Sequence, residues 1–111
     1  MADSIESFFS AWGASEDARD GLITTTVARD VIYTDPRGTV EGAAALCGYV
    51  AQFTANAPGA AAEVAERIEG EETDVRVRFF GEGWEQFGRY KVRLNAAAKI
   101  THITGIAEAK A

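Results

Sequence analysis

Ile5, Phe8, Phe9 and Trp12 recur at i, i+3, i+4 and i+7, with Ser4, Glu6, Ser7 and Ser10 on the other side, so the chain opens on an amphipathic helix. Gly13 ends it. Ser15 and Asp17 offer caps for a second helix that turns Ala18, Leu22, Ile23 and Val27 inward and stops near Asp30. Gly21 and the run Thr24 to Thr26 make this helix weak by propensity, so it depends on packing. The period then changes from 3.6 to 2. Val31, Tyr33 and Asp35 alternate with Ile32 and Thr34, which predicts a short strand whose inner face ends in a carboxylate. Pro36 keeps Asp35 extended and Gly38 supplies a turn. From Gly42 to Asn56 the helical period returns, with Leu46, Tyr49, Val50 and Phe53 at core spacing and Ala57-Pro58-Gly59 as the stop.

The second half reads as sheet. Glu63 to Glu69 sets Val64 and Ile68 against charged neighbours, and Gly70, Glu71 and Glu72 turn the chain. Val75, Val77 and Phe79 alternate with Arg76 and Arg78, giving one dry and one wet face. After Gly81-Glu82-Gly83, the series Trp84, Gln86, Gly88, Tyr90, Val92 and Leu94 points inward, opposite Glu85, Arg89, Lys91 and Arg93. A last strand spans Ile100 to Ala107, and Glu108 to Ala111 reads as a frayed tail. The order is that of an α+β domain, residues 1–111 as one unit: three helices in the first half, wrapped by a curved antiparallel sheet in a conical barrel with a pocket between the layers.

Composition narrows the functions available. A length of 111 residues and 47% apolar content suit one core. A net charge of -6 repels phosphate backbones and anionic lipid, so neither nucleic acid nor a membrane is an expected partner. Cys47 is the single cysteine, which excludes an internal disulfide and is consistent with a reduced, cytoplasmic setting. The start, MADSIESFF, is acidic where a signal peptide is basic, and no apolar run reaches the length of a membrane span. One His and one Cys give no metal-ligand spacing, and no cofactor is called for.

The aromatic first helix IESFFSAW, the strand and turn VIYTDPRG, the helix entry VEG and the closing hairpin YKVRLNAAAKITHITG together resemble the nuclear transport factor 2-like superfamily, in particular its SnoaL-like and ketosteroid-isomerase-like members. The resemblance covers essentially the whole chain and implies the cone-shaped, cystatin-like fold. It places the isomerases' general base on Asp35, their first-helix tyrosine at or near Phe9, and their late-strand carboxylic acid near Tyr90. Only Asp35 matches in kind. The general example of an acid held neutral to donate a hydrogen bond is a ketosteroid isomerase, and here a phenol, also neutral at working pH, stands in its place. An epoxide-hydrolase arrangement would need an inward arginine, whereas Arg76, Arg78, Arg89 and Arg93 all fall on the outward series.

The candidate chemistry is therefore a base, Asp35, and a donor, Tyr90, acting without cofactor on a small hydrophobic molecule that carries a carbonyl. Phe9, Trp12, Tyr33, Phe53, Trp84 and Val92 are the expected pocket wall, although each is equally suited to a core. His102 alternates with Ile103 and Gly105 and so faces away from such a pocket. Cys47 reads as a small buried hydrophobe. Phe80, Phe87 and His102 on the wet face of the sheet suggest a homodimer, and with it a second reading: a pairing or binding module of this fold without catalysis.

Overall fold

A computed structural model of the chain describes residues 4–57 and 59–107. The element order is α1 (Ser4–Ser10), a 3-10 turn (Ala11–Gly13), α2 (Glu16–Thr26), β1 (Val27–Asp35), β2 (Gly38–Glu41), α3 (Ala43–Asn56), β3 (Ala61–Ile68), β4 (Thr73–Gly81), β5 (Trp84–Leu94) and β6 (Ile100–Ala107). The predicted roles of Pro58 and of residues 108–111 lie outside the described residues.

Helix α1 buries the predicted stripe, with Ile5, Phe8 and Phe9 fully enclosed and Trp12 enclosed on the following turn. Each such side chain contributes roughly 1.5–3 kcal/mol by leaving water. Ser15 caps α2, its hydroxyl accepting from the Ala18 amide at 3.4 Å. The inward set of α2 differs from the prediction: Ala18 is exposed, while Arg19 and Thr26 are buried with Ile23. The helix also ends earlier than predicted, at Thr26, because Val27 already pairs with Ile100 in the sheet. Thr24, Thr25 and Thr26 each donate a hydroxyl back to a carbonyl four residues earlier, at 2.7–2.9 Å, which satisfies them locally on this last turn.

The sheet has six strands in the order β2-β1-β6-β5-β4-β3 and curves around the helices without closing. Neighbours pair antiparallel except β1 and β6, which run parallel, so the sheet is mixed rather than wholly antiparallel. One element here was not predicted. Strand β2 lies where a direct run into the third helix was expected, because Asp35 pairs with Gly38 across a tight Pro36-Arg37 turn and the chain doubles back on β1. The helix then starts at Gly42, whose φ of 91° lets its amide donate to the Val31 carbonyl at 2.7 Å.

In β3 the register shifts between Val64 and Glu66. That irregularity inverts the alternation, so Arg67 turns to α1 and meets Glu6 at 3.5 Å, while Ile68, predicted inward, is 66% exposed. Strand β4 follows its pattern, with Val75, Val77 and Phe79 buried and Arg76 and Arg78 outside. On β5, Tyr90 and Val92 are buried, but Trp84 and Leu94 at the strand's two ends are largely exposed.

Candidate functional site

Asp35 ends the inner face of β1, as the period-2 pattern requires, and three donors meet its carboxylate. The Tyr33 hydroxyl, two residues earlier on the same face, donates to Oδ2 at 2.9 Å. The Tyr49 hydroxyl reaches the same oxygen from α3 in a short hydrogen bond. The Arg37 amide donates to Oδ1 at 2.8 Å, which closes the turn. A carboxylate offers about four lone-pair sites, so one position, on Oδ1, is left over.

Tyr90 arrives from β5 opposite Gly105 of β6. Its ring occupies space that only glycine leaves open: a Cβ on Gly105 would lie 2.7 Å from Tyr90 Cε2, and one on Gly88 would lie 3.1 Å from Tyr90 Cε1. The Tyr90 hydroxyl sits beside that of Tyr33 and interacts with it as a hydrogen-bond partner, without reaching the Asp35 carboxylate. Burial pushes the Tyr90 phenol up to about 12, with the Asp35 charge adding to the rise and the adjacent Tyr33 hydroxyl and Arg37 acting against it. Burial also drives Tyr33 far above the ordinary phenol range, helped by Tyr90 and the Asp35 charge. Tyr49 is raised by burial and then by its bond to Asp35. All three phenols stay neutral at working pH. Tyr33 and Tyr49 donate to Asp35, so Tyr90 is the one phenol of the three that is not bonded to the carboxylate.

These groups line a cavity of about 190 Å³. Trp12 sits 5.0 Å from Phe53, 5.4 Å from Phe79, 6.2 Å from Tyr49 and 6.3 Å from Tyr33 between ring centroids, so its indole forms a floor. The other rings continue as a wall: Tyr49 to Tyr33 at 5.1 Å, Tyr33 to Tyr90 at 6.4 Å, Tyr90 to Phe79 at 6.2 Å and Phe79 to Phe53 at 5.6 Å. Pro36, Arg37, Gln86, Phe87, Gly88, Gly105 and Ile106 also line it. The volume slightly exceeds that of an apolar cavity of roughly 150 Å³ known to hold benzene, so it encloses about one ring.

Among solved structures, this chain superimposes on a candidate isomerase of the SnoaL-like family from Agrobacterium tumefaciens with a TM-score of 0.84 at 20% identity, over 96% of this chain and 95% of that one. A candidate polyketide cyclase from Sinorhizobium meliloti gives 0.77 at 18%, over 95% and 94%. A protein of ketosteroid isomerase-like fold from Catenulispora acidiphila, solved in complex with trimethylamine, gives 0.79 at 17%, over 95% and 85%. The chain has the nuclear transport factor 2-like fold. No protein-family model matches the sequence and no curated protein is significantly similar to it, so the likeness is one of fold.

Within this nuclear transport factor 2-like cone, the sequence-predicted residues separate into two groups. Asp35, Tyr90, Trp12, Tyr33 and Phe53 come together around the cavity. Phe9, Trp84 and Val92 do not line it. Phe9 is fully buried behind Tyr90, 5.1 Å from its ring, and Val92 is buried one pleat further along β5. Trp84 lies over Gly81 at the β4–β5 turn, 39% exposed, because the helices do not extend over that end of the hairpin. His102 is exposed on the outer face.

Tyr49, Phe79 and Arg37 belong to the site and were not singled out for it. Tyr49 had a signal: a phenol on an otherwise apolar helical stripe needs a partner for its hydroxyl. Arg37 had none beyond its place beside Asp35-Pro36. Among the described residues no group of three His, Cys, Asp or Glu is placed to hold a metal ion, and no helix is long and apolar enough to cross a membrane.

Proposed function

We propose that the cavity is a binding site for a small hydrophobic molecule bearing a carbonyl, and that Asp35 and Tyr90 run cofactor-independent proton transfer on it as an isomerase or lyase. The observation that carries this reading is the juxtaposition of a carboxylate with one unused lone pair and a neutral phenol that is not bonded to it, on one wall of a ring-sized aromatic cavity. Asp35 takes the proton from the carbon next to the carbonyl, and Tyr90 donates to the oxygen on which negative charge develops. Tyr33 and Tyr49 hold the carboxylate in place; their donors also spread its charge. The fold alone hosts many activities, so the candidate isomerase among its structural neighbours supports this reading without deciding it.

Asp35→Asn keeps an acceptor of the same shape and removes the base. Proton–deuterium exchange at the α-carbon of small cyclic enones, followed by NMR, should slow by about 10²–10⁴-fold in this variant. Equal exchange in both proteins would remove Asp35 from the chemistry.

The second reading, a homodimerising module without catalysis, draws on Trp84 and Ile106, which the sheet leaves 39% and 53% exposed. It predicts a dimer in light scattering together with no exchange activity in the wild type, and a monomer or measurable exchange would count against it.

A further inference from the structure

The aromatic cavity contains a formal negative charge, and this bears on what kind of group it accepts. Trp12, Tyr33, Tyr49, Phe53, Phe79 and Tyr90 form its floor and wall, with neighbouring centroids 5.0–6.4 Å apart. Ring faces carry negative potential and attract cations within about 6 Å, and for methylated amines a cluster of rings does the work that hydrogen bonds do elsewhere. Asp35 adds a full charge beside two of these rings, with its remaining lone pair unmatched.

An uncharged apolar occupant would displace water from that oxygen and offer nothing in return. A cation offsets the loss. The chain as a whole, at -6, draws cations toward it. One group opposes them: Arg37, which lines the mouth. Its side chain is exposed, where solvent and salt screen it, whereas Asp35 is half-buried. The remaining titratable groups facing the cavity are the three tyrosines, which are neutral.

We infer that the group seated in this aromatic cavity is an alkylammonium, so that the ligand is a small amine-bearing molecule whose methylated nitrogen is enclosed by the rings and balanced by Asp35. The inference rests on the cavity being the ligand site proposed above and narrows the substrate to amine-bearing carbonyl compounds of about one ring in size. The two roles of Asp35 are compatible. A quaternary nitrogen has no N–H to occupy the free lone pair, and its charge makes neighbouring C–H bonds more acidic.

Choline and 3,3-dimethylbutan-1-ol have nearly the same shape and differ by the charge, so calorimetric titration of each into the wild-type protein isolates the cationic contribution. Choline should bind at least tenfold more tightly. Asp35→Asn should reduce that preference to threefold or less; Phe53→Leu, which removes one ring and keeps an apolar side chain, should lower choline affinity more than alcohol affinity. Should Asp35→Asn fail to fold, the wild-type comparison and Phe53→Leu decide. Equal binding of both compounds, tighter binding of the alcohol, or binding of neither overturns the alkylammonium inference. The enone exchange assay is independent of all three outcomes, so a failure of this inference and a failure of the proton-transfer proposal are read separately.

Discussion

Asp35 and its three donors make the acid a fixed point rather than a mobile one. The chain contains three tyrosines and all of them meet at this site, so any optical signal from phenolate reports on the site alone. All three are raised above the ordinary value of about 10. The sign of the linkage follows. The unfolded chain loses phenolic protons near pH 10 and the folded one does not, so the stabilisation is complete below about pH 10 and is lost as pH climbs toward the folded value of about 12 for Tyr90 and beyond it for Tyr33. Absorbance at 295 nm should therefore lag the ordinary phenol curve, with the Tyr90 contribution rising only as the pH nears about 12, together with loss of the circular dichroism signal. Ordinary titration near pH 10 in a protein that keeps its native dichroism would show that the tyrosine cluster is absent.

At the scale of the element, what shapes the site is the space left by glycines and the phase of each strand. Gly105→Ala would put a Cβ within 2.7 Å of the Tyr90 ring and 3.3 Å of Asp35 Cβ, so we expect a loss of about 1–3 kcal/mol in denaturant unfolding and an earlier-titrating Tyr90. Gly21→Ala is the matched control. Nothing lies within 4 Å of that position on α2, and replacing a helical glycine should instead raise stability by about 0.5–1 kcal/mol. The shifted phase of β3 makes another contrast: Ile68→Thr should change stability by less than about 0.5 kcal/mol, whereas Leu46→Ala, on the buried face of α3, should cost about 2–5 kcal/mol.

These elements also show which parts of the structure sequence reasoning could reach. Amphipathic period alone placed α1, α3, β4 and the Val31-Tyr33-Asp35 face, because there one side of each element is plainly apolar. It missed β2, whose four residues show no burial contrast, and it mis-phased the end of β3, because an irregular register leaves no mark in composition. Of the cavity lining, the inward placement of Asp35 and Tyr90 was legible from strand alternation. Trp84 was misplaced by the same rule, since alternation tells which face a side chain takes and not how far along the strand the helices cover it.

For the whole molecule, the parallel β1–β6 pairing determines when the site can exist. Thr34 of β1 lies against Thr104 of β6, one residue before the glycine that makes room for Tyr90. The acid and the seat of the phenol thus come from strands about 70 residues apart in the chain, and such distant partners meet late in folding. A growing polypeptide leaving the ribosome would carry Asp35 uncovered through most of its synthesis, and the aromatic chamber would take shape only once β6 had emerged and docked beside β1.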